Sequence, residues 1–71
     1  MDPLACLNAA IEAREAGDHA VCADHLSDYF EWRAKGGFEP LVSGRKGDTV
    51  AAELTVRTVT ALRGKQHGTR A

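Results

Sequence analysis

The fold of this 71-residue chain is decided by the stretch from Asp2 to Phe38, DPLACLNAAIEAREAGDHAVCADHLSDYFEWRAKGGF. At its centre, Gly17 suits the left-handed residue that ends a helix, and Asp18 suits the cap of the next helix. Two helices joined by so short a link pack antiparallel. The sequence therefore predicts a helical hairpin with two ranges: helix 1 at about 3–16 and helix 2 at about 19–35.

The outer ends of this hairpin carry their own signals. Asp2 followed by Pro3 is typical of a helix start, because Pro needs no backbone N–H in the first turn. At the other end, Gly36 and Gly37, with Pro40 shortly after them, interrupt the second helix. Both helices are therefore bounded by local sequence.

Helix 2 is predicted to be apolar over a wide arc. Its apolar, aromatic and imidazole side chains spread well round the helix: Val21, Cys22, His25, Leu26, Tyr29, Phe30 and Trp32. One antiparallel neighbour cannot cover such an arc, so helix 2 is expected to contact two elements. Any part left uncovered is a candidate interaction site.

Residues 49–63 fit two interpretations. The helical one has Asp48 as the cap and Gly64 as the end of the helix. The strand interpretation rests on the β-branched run between residues 55 and 60. We favour the helix, because a lone strand or hairpin is marginal beside two helices.

The predicted architecture is all-α, a small three-helix domain at residues 1–64 built on the hairpin. Residues 36–48 are expected to form a loop with Arg45 and Lys46 at its tip. Residues 65–71 are expected to form a flexible basic tail.

Composition limits the function classes. The net charge of −1 gives no global basic field for nucleic acid. No segment has the ~20 apolar residues that span a bilayer, and the N-terminus lacks the features of a signal peptide. Two cysteines are too few for a disulfide framework. We therefore expect a cytoplasmic protein with reduced thiols and no membrane partner.

The stretch from Leu7 to Phe30 resembles a single tetratricopeptide-type hairpin. Ala10, the Gly17-Asp18 turn, Cys22 and Tyr29 occupy the places of that motif's packing and turn residues, although Cys22 and Tyr29 differ from its usual small residues. The resemblance implies at most a protein-binding scaffold.

The segment WRAKGGFEP, residues 32–40, is similar to small uncharacterised proteins of phage and bacterial genomes, and this likeness implies no activity.

A metal or thiol site is the sharpest chemical alternative. His19, Cys22 and His25 are spaced three apart, with Cys6 on the neighbouring helix, and thiolate with imidazole suits zinc. His19 and His25 lie about 120° apart round a helix, however, and no Cys-x-x-Cys pair is present. Catalysis by Cys22 would need an oxyanion loop that the sequence lacks. We therefore predict no metal, cofactor or catalytic residue, and no disulfide.

The expected function is protein–protein interaction, beginning with self-association as a homodimer through helix 2. All four aromatic residues lie within a ten-residue stretch, and aromatic residues are common interface anchors. The predicted interaction residues are Leu26, Tyr29, Phe30, Trp32 and Phe38. Packing within the core alone is the competing interpretation of these residues.

A nucleic-acid-associated accessory role is the alternative function. Most acidic residues lie in the first half of the chain, whereas the C-terminal third is basic. The predicted phosphate-contacting residues are Arg45, Lys46, Arg57 and Arg63. A basic tail that meets an acidic face of another subunit would explain the same asymmetry.

Overall fold

The computed structural model describes the backbone of residues 2–70 and the side chains of residues 2–64. Three helices and a small β-hairpin follow one another along the chain. They are α1 (Pro3–Glu15), α2 (His19–Ala34), β1 (Leu41–Val42), β2 (Arg45–Lys46) and α3 (Gly47–Arg70). The predicted all-α class and the three-helix architecture are confirmed.

The α1–α2 hairpin begins and turns at the residues that the sequence indicated. Asp2 Oδ1 accepts hydrogen bonds from the amides of Leu4 and Ala5 at 3.0 and 3.3 Å. Gly17 has φ +80°, and Asp18 caps α2 by accepting from the Val21 amide at 3.2 Å. These local contacts satisfy amides that have no partner inside their own helix.

The stretch predicted as a loop, residues 36–48, contains an antiparallel hairpin. Val42 pairs with Arg45, and the turn between them is Ser43-Gly44, with φ values of 53° and 81°. Two consecutive positive φ values match the turn type whose twist suits two-residue hairpins. The predicted loop tip is therefore wrong, because Arg45 and Lys46 form β2 rather than the turn.

The third segment is a helix, as favoured, but both predicted ends are wrong. Asp48 lies inside the first turn of α3 rather than at its cap. Gly64 does not end the helix, because a single glycine costs only about 1 kcal/mol in a helix interior and α3 contains no proline. The flexible tail predicted for residues 65–71 involves side chains outside the described residues.

The core forms where the three helices and β1 meet. Tyr29 and Leu7 are its largest fully buried side chains. The cluster consists of Leu7, Ala10, Cys22, Leu26, Tyr29, Val42, Val50, Ala51 and Leu54. Helix α2 packs against both α1 and α3, which confirms that its apolar arc needs two neighbours. Among the residues that the structure describes, no helix is long and apolar enough to cross a membrane.

Candidate functional site

An open groove lies between α2 and α3. We call it the apolar groove, lined by Ala23, Leu26, Ser27, Phe30, Thr55, Thr58, Val59 and Leu62. Three of its apolar side chains remain partly exposed, with exposed fractions of 41% for Phe30, 42% for Val59 and 38% for Leu62. The groove is therefore a continuous apolar surface made by two helices.

The structure buries some of the five predicted interaction residues and exposes others. Tyr29 is fully buried and Leu26 is 4% exposed, so both side chains belong to the core of the protomer. Their burial agrees with the competing interpretation of core packing and leaves little of either side chain for a partner to contact, although Leu26 also lines the apolar groove. Phe30 is exposed on the groove itself.

Trp32 and Phe38 form a separate aromatic pair at the C-terminal end of α2. Their ring centroids are 5.8 Å apart in an edge-to-face arrangement, and Trp32 Nε1 donates to the Phe38 carbonyl at 3.2 Å. Gly37 lies directly against the Trp32 ring, where a Cβ atom would overlap it. Trp32 therefore holds the chain leaving α2, while the Phe38 side chain stays 65% exposed.

A polar network joins α2 to the start of α3, and sequence reasoning missed it. The Tyr29 hydroxyl donates to Asp48 Oδ1 at 2.7 Å, and Arg33 donates to both Asp48 oxygens at 2.8 Å. The Asp48 amide in turn donates to Glu39 at 2.9 Å. In the sequence, Asp48 looks like an ordinary helix cap. No local signal therefore shows that it is bonded to side chains of another helix.

The pKa values of the network follow from these contacts. Hydrogen bonds from Arg33, and then from Tyr29, lower the pKa of Asp48 below its ordinary value. Burial, followed by the hydrogen bond to Asp48, raises the pKa of Tyr29. The phenol therefore stays protonated and the carboxylate stays ionised at neutral pH. These protonation states preserve the hydrogen bond that joins α2 to α3.

A second groove lies between α1 and α3. We call it the basic groove, lined by Ile11, Arg14, Arg45, Val50, Glu53, Leu54 and Arg57. Arg45 forms an ion pair with Glu53 at 2.6 Å. This hydrogen bond is the largest cause of the lowered pKa of Glu53, and the charge of Arg57 lowers it further.

The predicted phosphate-contacting residues are only partly brought together. Arg45 and Arg57 share the basic groove, and Arg14 joins them from α1 although the sequence did not single it out for this role. Lys46 follows Arg45 directly along β2, so its side chain points to the other face of the hairpin. Arg63 lies about 120° from Arg57 round α3.

Within the described part of the chain, the cysteine and histidine residues form no cluster that could hold a metal ion. Cys6 and Cys22 are both free thiols. The Cys6 thiol donates to the His25 carbonyl at 3.0 Å, while Cys22 Sγ lies 3.3 Å from the Thr58 hydroxyl in the core. Burial, the largest cause, raises the pKa of Cys6, so this thiol is a poor nucleophile.

In comparisons with known proteins, no family model, curated protein sequence or solved structure is significantly similar to this chain. The resemblances to a tetratricopeptide-type hairpin and to small phage or bacterial proteins therefore stay predictions.

Proposed function

We propose that this protein is a non-enzymatic interaction module that self-associates as a homodimer through the apolar groove. The observation that supports this is the continuous exposure of Phe30, Val59 and Leu62 along two packed helices. Single exposed apolar residues are normal on protein surfaces, whereas a contiguous apolar patch is characteristic of an interaction site.

The dimensions of the groove favour a protein surface as its occupant. Its volume is about 220 Å³, below the roughly 300–1,000 Å³ of typical small-molecule sites. An occupant must therefore cover the groove from outside, as the side chains of another helix do when they pack into the grooves between ridges.

A second copy of this chain fits because the groove offers both parts of a packing contact. Phe30 projects from α2, and the small residues Ala23 and Ser27 leave a depression on the same helix face. A second copy presents the same ring and the same depression, which is the self-complementary pairing that a two-fold interface requires. Two protomers placed groove to groove would form a four-helix arrangement.

We also propose that this self-association takes place in the cytoplasm. Cys6 and Cys22 are both free, and a reducing compartment suits a small protein whose thiols do not pair.

The test is the solution mass of the Phe30→Glu variant by light scattering across a concentration series. We expect the unmodified protein to approach dimer mass as its concentration rises. The variant should remain a folded monomer, because a carboxylate would be desolvated at the centre of the apolar interface.

The matched control is Phe38→Glu, which makes the same substitution at an exposed phenylalanine outside the apolar groove. This control should dimerise like the unmodified protein. A protein that stays monomeric at all concentrations, or a Phe30→Glu variant that still dimerises, would refute the proposal. Loss of dimer in Phe38→Glu alone would move the interface to the Trp32–Phe38 pair.

A further inference from the structure

The basic groove brings together three arginine side chains that are far apart in the sequence. Arg14, Arg45 and Arg57 come from α1, β2 and α3, and they line a single groove with Glu53 as its only acidic residue among the described residues. Glu53 is paired with Arg45. Among the described residues, Arg14 and Arg57 form no ion pair.

The floor of this groove is well anchored. Val50 and Leu54 belong to the buried core, and Ile11 packs against that core from α1. The backbone positions of the three arginines are therefore held by the core, whereas the Arg45 and Arg57 side chains are exposed. A fixed backbone lowers part of the entropic cost of binding a ligand.

We propose that the basic groove binds a phosphate group of a nucleic-acid backbone, with Arg14 and Arg57 as its principal contacts and Arg45 as the third. Guanidinium groups stay charged at all physiological pH values and match the oxygens of a phosphate with paired N–H donors. The apolar floor gives the adjoining sugar a surface against which to pack.

The size of the groove supports an extended ligand rather than an enclosed one. Its volume is about 170 Å³, well below the roughly 300–1,000 Å³ of sites that enclose small molecules. The groove can therefore hold one phosphate group while the rest of the nucleic-acid chain lies outside it. Since the net charge of the protein is −1, binding depends on these local contacts rather than on a global field.

This site is independent of the proposed dimer interface. Arg57 and Val59 lie about 160° apart round α3, so the basic and apolar grooves occupy opposite sides of the helix. Loss of one function therefore leaves the other measurable.

The test is fluorescence anisotropy of labelled single-stranded and duplex oligonucleotides, titrated between about 25 and 200 mM salt. One neutralised phosphate predicts a slope of log affinity against log salt of about −0.7 for the single strand and about −0.9 for the duplex. Arg14→Gln and Arg57→Gln should each weaken binding by about tenfold.

Two further variants make the test specific. Arg63→Gln removes the same charge from another face of α3 and should bind as the unmodified protein does. Glu53→Gln should strengthen binding by about fivefold, because it removes the competing carboxylate and releases Arg45. Circular dichroism verifies that every variant is folded.

Three results would overturn the inference: no oligonucleotide binding at low salt, equal weakening by Arg63→Gln and Arg57→Gln, or unchanged binding in both Arg14→Gln and Arg57→Gln. Polyglutamate and inorganic phosphate serve as competitors. Displacement of the oligonucleotide by polyglutamate at equal charge would identify an acidic protein as the ligand, and displacement by micromolar phosphate would identify a free anion.

Discussion

Asp48 accepts hydrogen bonds from two side chains of α2, and its own amide is bonded to Glu39. These contacts fix the start of α3 against the C-terminal half of α2. Tyr29 is fully buried, yet its hydroxyl reaches a carboxylate that is partly open to solvent. One residue thus determines how the end of the hairpin meets the third helix.

Replacing Asp48 with Asn should destabilise the protein at neutral pH and make its stability less sensitive to acid. Because the folded-state pKa of Asp48 is lowered, its contribution is fully present above about pH 4, the ordinary value for Asp. That contribution is lost as the pH falls through the folded-state pKa. Weakening the Tyr29 hydrogen bond alone should cost about 1 kcal/mol at pH 7.

Urea denaturation at several pH values measures this effect. The stability difference between the unmodified protein and Asp48→Asn should stay nearly constant from pH 6 to about pH 4 and shrink as the pH falls further towards about pH 3. Asp28→Asn is the control, because Asp28 is exposed and its carboxylate forms no ion pair among the described residues. A difference that stays constant across this range would contradict the role given to Asp48.

At the scale of elements, α3 shows how a glycine can belong to either a helix end or a helix interior. Gly17 and Gly36 follow α1 and α2 with φ values of 80° and 93°, as left-handed ends do. Gly64 instead lies within α3, and a Cβ atom built on it meets nothing within 4 Å. The residue type is the same in each case, and only the backbone conformation distinguishes them.

Gly64→Ala should therefore stabilise the protein by about 0.5–1 kcal/mol, since Ala favours a helix interior over Gly. Gly17→Ala should destabilise it by about 1 kcal/mol, because Ala is strained at positive φ. Thermal unfolding followed by circular dichroism measures both effects. Destabilisation by Gly64→Ala would mean that α3 ends at Gly64 after all.

The whole molecule is a small elongated bundle, with principal extents of 43 × 23 × 17 Å. A domain of this size buries only roughly 60% of the surface that its unfolded chain exposes, which leaves little margin of stability. Helix α2 is covered by α1 on one side and by α3 on another, and the apolar groove remains open between α2 and α3. Self-association would close that groove.

If the groove is a dimer interface, the melting temperature should rise with protein concentration, because association stabilises the folded chain by mass action. Each tenfold increase above the dissociation constant should add about 0.7 kcal/mol per protomer, or about 3–6 °C. Calorimetry at a series of concentrations measures this shift. Phe30→Glu should melt at a concentration-independent temperature, and a concentration-independent melting temperature for the unmodified protein would contradict self-association.

The hairpin was determined by the sequence itself. The caps at Asp2 and Asp18 and the glycine turn at Gly17 act within a few residues of one another, so their hydrogen bonds can be inferred from spacing alone. The width of the apolar arc on α2 likewise predicted that this helix packs against two elements, although it did not say which element the second one is. These are properties of local geometry and of helix periodicity.

Only the tertiary structure decided which polar and aromatic side chains meet. Asp48 joins Tyr29 and Arg33 across 19 and 15 positions of the chain, and a carboxylate that fits a cap gives no sign of such partners. Burial of Tyr29 beside an exposed Phe30 depends on where α3 lies. The basic groove likewise exists only because α1, β2 and α3 converge, since long-range packing, unlike helix capping, leaves no fixed spacing in the sequence.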